Sequence, residues 1–343
     1  MEPAIDRLTS DARLSGWLPA HVTWRNETPR VEWVFYPETD EEPFFEGSLQ
    51  RAMRRPFNLL FRYDTSLDEL EEWTQQSPGL APAGFIFHVS RCGSTLLSSF
   101  VGRQPDVLAL SEPAPLDDII RASFRFPDLS EEQQIRWLRT MLSGLTQRRR
   151  PEQEKCVVKF DAWHALQLPL LRKAFPDVPR IFMYRDPVEV LVSALRRRGL
   201  HTIPGAMDPA LFGFDLTAAL QMTPEEYCAR VLGMIYDAGL RYHEPPQSIL
   251  LNYNELPEAI STKVASHFDL QFAEGAAAKG NEQLEFDPKT GMKFSPDSVQ
   301  KQSEATASIR AAAEHWIRPA YEQLEALRQN ELRRAEESIS HRR

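Results

Sequence analysis

The chain has 343 residues, 42% of them hydrophobic and 26% charged, with a formal net charge of −9 at pH 7. That composition suits a globular chain able to bury a sizeable core, and its acidity argues against a general nucleic-acid binder while leaving room for a local basic pocket. No apolar run approaches the roughly 18 residues of a membrane span. The start Met1-Glu2-Pro3-Ala4 lacks the basic and apolar parts of a secretion signal, and Cys92, Cys156 and Cys228 are too scattered for a disulfide framework or a zinc site. A cytoplasmic protein is expected.

Residues 1 to about 80 differ in texture from the rest. Residues 21–24 and 30–36 are predicted strands, 44–63 are rich in aromatics and arginines, and Ser66 is placed to cap a short helix. The breakers Ser77-Pro78-Gly79-Leu80-Ala81-Pro82-Ala83-Gly84 then form a linker. Residues 1–84 are therefore expected to be a small appended subdomain with strands, either a cover over a sheet edge or part of an acceptor pocket. Residues 85–343 would be the main domain.

From residue 85 strands and helices alternate. Strands are predicted at 85–89, 107–110, 156–160, 179–184 and 248–253. Helices are predicted at 95–101, 117–124, 130–149, 166–174, 188–198, 224–242, 256–268 and 305–333, with 275–303 loop-like. Ser130 with Glu131-Glu132-Gln133 matches a capping box, and Arg148-Arg149-Arg150 before Pro151 reads as a solvated helix end favoured by the helix dipole. Strands separated by helices of this length imply right-handed βαβ units. The expected fold class is α/β: a three-layer parallel sheet with helices on both faces.

The stretch Val89-Ser90-Arg91-Cys92-Gly93-Ser94-Thr95 joins the first of these strands to its helix. A Gly/Ser/Thr turn entering a helix points backbone N–H groups outward at a positive helix end, which makes an anion site. Arg91 adds a cation, and Ser94 and Thr95 add hydroxyls. Cys92 is read as a small residue fitting a tight turn, with a reactive thiol as the alternative. The stretch is not a G-x-x-x-x-G-K-[ST] loop, because no Lys precedes Ser94. Ligands of open α/β sheets bind at the carboxyl ends of strands. There the pattern places Glu112, Lys159, and Arg185 with Ser193 eight residues on, a guanidinium and a hydroxyl able to share one phosphate. Glu112, a carboxylate in a cationic pocket, is the natural general base if it faces inward and a loop cap if it does not.

Arg91-Cys92-Gly93-Ser94-Thr95 and Tyr184-Arg185-Asp186-Pro187 with Ser193 resemble the two phosphosulfate-binding signatures of the sulfotransferase family. The run Leu250-Leu251-Asn252-Tyr253-Asn254-Glu255-Leu256 is similar to that family's later strand and turn. The resemblance implies a P-loop-like sulfotransferase fold and transfer of a sulfuryl group from 3′-phosphoadenosine 5′-phosphosulfate (PAPS), with no metal, to a hydroxyl or amine of a small-molecule or peptide acceptor. It places Arg91, Cys92, Gly93, Ser94 and Thr95 on the 5′-phosphosulfate, and Arg185 and Ser193 on the 3′-phosphate. Arg197, Tyr253 and Lys301 complete the nucleotide-binding set. The arrangement looks closest to the tyrosylprotein sulfotransferases and related bacterial enzymes, whose base is a Glu about twenty residues past the loop Arg, the place of Glu112. Glu112, Arg91 and Lys159 are then the catalytic residues. The cytosolic branch has a His where this chain has Asp161, leaving Asp161 as a minor alternative base. The alternatives are a non-catalytic binder of the same nucleotide and a P-loop small-molecule kinase, which would need a loop Lys and carboxylates for magnesium.

Overall fold

The computed structural model describes residues 16–36, 45–272 and 297–340. Eight strands are present among them: β1 (Trp17–Arg25), β2 (Thr28–Phe35), β3 (Tyr63–Ser66), β4 (Pro82–His88), β5 (Val107–Ser111), β6 (Lys155–Lys159), β7 (Arg180–Tyr184) and β8 (Ser248–Asn252). They form a three-stranded antiparallel sheet, β1-β2-β3, and a five-stranded parallel sheet ordered β5-β6-β4-β7-β8 and flanked by helices. The α/β class expected from the alternation is present. No helix among the described residues is long and apolar enough to cross a membrane.

The chain divides into two compact units. The first comprises Met1–Phe85, Ser98–Phe160 and Leu170–Val178; the second comprises Ile86–Leu97, Asp161–Pro169 and Pro179–Arg343. In the first, β1 and β2 pair with Val22 opposite Val31, and the alternation of apolar residues buries Leu18, Ala20, Val22, Val31 and Trp33. Asp118, on the helix Ala114–Ile120, accepts from the Val22 N–H at 2.8 Å and meets His21 Nδ1 at 3.3 Å. That hydrogen bond raises the His21 pKa against the cost of burial. Trp24 packs on Phe126 and Trp137, so the N-terminal sheet is tied by ring contacts as well as by a carboxylate. Ser66 caps the helix Leu67–Gln76 in a full capping box with Glu69. In the same unit β5 pairs with β6 in parallel, Ser111 opposite Lys159.

In the second unit β7 pairs with β8 in parallel, Tyr184 opposite Asn252. Tyr184 Oη and Asn252 Nδ2 both donate to Glu325 Oε1, at 2.6 and 2.8 Å, which fastens the final helix Arg318–Ser340 to these strands.

Several helix expectations change. The helix predicted to run to residue 149 ends at Leu145, where the Thr146 hydroxyl donates back to the Leu142 carbonyl at 2.9 Å. Residues 149 and 150 lie beyond it, their N–H groups accepted by Gln153 Oε1 at 2.9 and 3.1 Å. The arginine run is therefore no helix terminus, and Arg149 Nη2 is buried rather than solvated. Ser130 caps that helix by accepting from Gln133 N–H at 3.2 Å. The predicted helix 305–333 is broken into Ala307–Trp316 and Arg318–Ser340, since Pro319 has no N–H to continue the first segment but suits the first turn of the second. The helix predicted over 256–268 is present over 258–267, with a π-helical segment Ile260–Val264 running into Ala265–His267. Of the loop-like 275–303, Ser298–Glu304 is helical and 275–296 lie outside the described residues.

Candidate functional site

In the second unit the loop after β4 leads into the helix Ser94–Gly102. Its backbone is unusual twice over: Arg91 has φ +65° and Gly93 has φ +89°. Arg91 is a non-glycine residue held in the left-handed region, an outlier of the kind that persists where the surroundings over-determine it. At Gly93 a side chain is excluded, because a Cβ would stand 2.9 Å from Tyr253 Cδ2 and 3.3 Å from Met183 Cε. The loop is pinned from beneath, with the Val89 N–H donating to the Met183 carbonyl at 2.9 Å and the Cys92 thiol to the same oxygen at 3.3 Å. Cys92 is fully buried and serves as a small packing residue, as its setting in a tight turn suggested. Ser94 and Thr95 open the helix and are both buried.

Arg91 Nε donates to Ser193 Oγ at 3.0 Å. Ser193 lies on the helix Pro187–Arg196, whose first turn is capped by Asp186 accepting from Val188 and Glu189 N–H. This one hydrogen bond brings together the two stretches singled out in the sequence.

Arg185 follows β7 and is buried. Its guanidinium lies 3.7 Å from the centroid of the Tyr253 ring, the residue that follows β8. It donates to Glu189 Oε2 at 2.5 Å, Asp297 Oδ1 at 2.6 Å and Ser298 Oγ at 3.1 Å. Lys301, also buried, holds the other Asp297 oxygen at 2.7 Å. Burial works against the charge on Arg185, but the Asp297 hydrogen bond and the neighbouring anions raise its pKa above the ordinary value. Burial lowers the Lys301 pKa in spite of Asp297. Asp297 is itself disfavoured by burial, yet the hydrogen bonds from Lys301 and Arg185 take its pKa below the usual carboxylate value. Tyr253 is pushed up to about 12, chiefly by burial. Asp297 and Ser298 could not be picked out along the chain, because nothing in their spacing ties them to Arg185; Glu189 could have been, since it stands four residues on at the spacing of a helical ion pair. Arg197 is exposed at the end of its helix, its backbone N–H donating to the Ser193 carbonyl at 3.2 Å. Asp161 precedes the turn Ala162–Gln167, and its N–H donates to His164 Nδ1 at 3.2 Å.

In the first unit Glu112 and Lys159 are brought together. The Lys159 Nζ lies 2.7 Å from Glu112 Oε1, and the Glu112 N–H donates to the Lys159 carbonyl at 2.7 Å. Lys159 is buried while the Glu112 side chain is about a quarter exposed (26%). Glu112 has φ +56°, a second non-glycine outlier at a residue chosen from sequence alone. An ion pair of this kind holds the carboxylate in place, and an ionised carboxylate can accept a proton.

No protein-family model matches the chain, and no curated protein does. Among solved structures, the chain is similar to a sulfotransferase from Alicyclobacillus acidocaldarius, at 16% identity over 72% of this chain and 96% of that one, with a TM-score of 0.40. A sulfotransferase from Mycobacterium avium aligns at 14% identity over 63% and 72% of the two chains, with a TM-score of 0.39. A mouse sulfotransferase complexed with PAP aligns at 10% identity over 82% and 97%, with a TM-score of 0.37. Likeness at this level does not bear on function, which must be read from the residues.

Proposed function

We propose that this chain is a sulfotransferase that moves a sulfuryl group from PAPS to a hydroxyl, or an amine, of a small-molecule or peptide acceptor. The observation that carries this is the Arg91–Ser193 hydrogen bond, which joins a left-handed anion loop to the helix Pro187–Arg196 that follows Arg185, within one unit. Buried Arg185 and Lys301 add two cations to that unit. The fit to a doubly phosphorylated nucleotide has one condition, because Glu189 and Asp297 already balance the charges of Arg185 and Lys301. Asp297 now holds both Arg185 and Lys301, so a 3′-phosphate takes them only by displacing that carboxylate.

The roles then follow from chemistry. The loop N–H groups with Ser94 and Thr95 hold the 5′-phosphosulfate, and Arg185, Ser193, Arg197 and Lys301 receive the 3′-phosphate beside the Tyr253 ring. Sulfuryl transfer resembles phosphoryl transfer in its loose, in-line transition state, so positioning and charge stabilisation dominate. The bond from sulfur to the phosphosulfate bridging oxygen breaks, and its electron pair stays on the 5′-phosphate. The acceptor oxygen forms the new bond to sulfur, and its proton passes to the Glu112 carboxylate. Arg91 and Lys159 offset the charge that gathers on the oxygens.

The test is turnover of PAPS against a panel of alcohols, phenols and amines, with the wild type beside Glu112→Gln. The variant keeps its shape and loses the basic oxygen, so kcat should fall by about 10²–10⁴-fold while affinity for 3′,5′-adenosine bisphosphate holds or improves. Unchanged turnover would take the base role from Glu112. Wild-type protein that binds the bisphosphate and turns over nothing would leave a nucleotide binder.

A further inference from the structure

A cavity of about 850 Å³ opens in the first unit, walled by Trp17, Phe35, Tyr36 and Trp73 and reached by Arg148 and Arg149. The sequence builds it from three pieces. The edge of β1 and β2 supplies Trp17, Phe35 and Tyr36, with Trp17 and Phe35 edge to face at 5.6 Å between ring centroids. The helix Leu67–Gln76 supplies Trp73. The breaker-rich linker supplies its floor, fixed where the Gly79 N–H donates to Ser143 Oγ at 2.9 Å; a Cβ at Gly79 would stand 2.2 Å from the Ser143 carbonyl oxygen.

Arg149 distinguishes this cavity from an ordinary apolar gap. Among the described residues no carboxylate pairs with its guanidinium, although Glu154 lines the same cavity and is exposed. Three lining residues carry buried side-chain atoms without a hydrogen-bond partner among the described residues: Arg149 Nη2, Trp73 Nε1 and Tyr36 Oη. Two are N–H donors and the third is a hydroxyl, so an acceptor is what they lack; enclosed behind the cavity surface as they stand, they meet one only when a ligand draws the Arg149 guanidinium outward. Desolvation brings the Arg149 pKa down to about 10, so the guanidinium keeps its charge near neutral pH and an anion arriving there would offset the cost of burying it.

We infer that this cavity binds a small planar aromatic molecule bearing a carboxylate, the ring among Trp17, Phe35 and Trp73 and the carboxylate on Arg149. A guanidinium fork matches a carboxylate in plane, and aromatic side chains beside a charged group that fixes orientation are a common build of a small-molecule site. The cavity is not the place of the reaction proposed above. It is lined by Ala81 and Glu154, at the amino ends of β4 and β6, whereas Lys159 ends β6 and Glu112 follows the carboxyl end of β5. Along a five-residue strand that separation is about 13 Å. The site is therefore a second one, for a ligand other than the acceptor.

The probe is 2-naphthoate, titrated into the full chain and followed by calorimetry and by the fluorescence of the wall tryptophans, against neutral 2-naphthalenemethanol. The wild type should bind naphthoate below about 1 mM and at least tenfold more tightly than the alcohol. Arg149→Gln should erase that preference, and Arg185→Ala should keep it, since its cluster takes no part. Trp73→Phe, a milder change, should weaken naphthoate at least threefold and serves if Arg149→Gln does not fold. Absent binding, equal affinity for the two probes, a preference that survives Arg149→Gln, or one that vanishes with Arg185→Ala would each overturn the inference.

Discussion

Arg185 and Arg149 are two guanidiniums withdrawn from water, and the molecule treats them in opposite ways. Arg185 is saturated by Glu189, Asp297 and Ser298 and lies on the Tyr253 ring, so its pKa is raised. Arg149 has a buried Nη2 with no partner among the described residues, and desolvation lowers its pKa. A saturated cluster is preorganised, but a ligand must compete with the carboxylates already there. An unsaturated one costs stability when empty and gains on binding. Perturbed groups mark candidate sites in both cases, for different physical reasons.

The contrast can be broken most forcefully at Arg185. Arg185→Ala should weaken binding of 3′,5′-adenosine bisphosphate by about 1.5–3 kcal/mol, roughly ten- to a hundredfold, and spare AMP. Equal losses for the two nucleotides in calorimetry would remove Arg185 from the 3′-phosphate. Gly93→Ala attacks the floor of the same cluster, where φ is +89° and Tyr253 crowds the site. Its melting temperature should drop in step with about 1–3 kcal/mol of strain. Arg149→Gln should do the reverse, leaving stability unchanged or raising it by about 1 kcal/mol, because an unpaired buried charge is removed. A clear drop in denaturant midpoint would show that the two arginines are alike after all.

The smallest effect is expected from Asp297→Asn. Freeing Arg185 and Lys301 of their carboxylate should raise affinity for the bisphosphate by about two- to tenfold, the worth of one or two hydrogen bonds. It should also change the acid limb of the stability curve. Asp297 has a folded pKa below its unfolded value, so its contribution is complete above a pH of about 4 and fades as pH falls through the lower folded value. The variant should lack that portion of the acid loss. A curve superimposable on the wild type would mean the carboxylate contributes nothing there.

Much of this was legible in the chain. A short apolar run, a Gly/Ser/Thr turn and a helix opening at Ser94 are local facts, and the loop formed where they placed it. Ser66 and Ser130 both cap helices as their sequence positions implied. The pairing of Glu112 with Lys159 was foreshadowed less directly, since both end short β runs, and parallel pairing of β5 with β6 sets those ends side by side. The misreadings arose where tertiary contacts overrode local pattern. Arg148-Arg149-Arg150 looks like a helix end, but Thr146 closes the helix early and the Gln153 side chain takes over the next N–H groups. Asp297 is more than a hundred residues from Arg185, and no periodicity links two such positions.

What the sequence determined by itself is the alternation of elements, the caps, and the identity of the residues that strands deliver at their carboxyl ends. These depend on backbone propensity and on periodicity, which act within a few residues. Only the tertiary structure decided which charges meet: that Arg91 reaches Ser193, that Asp297 rather than solvent occupies Arg185, and that Arg149 lines an aromatic cavity with no carboxylate paired to it among the described residues. Coulomb and hydrogen-bond energies depend on distance in space and on burial, and neither is written along the chain.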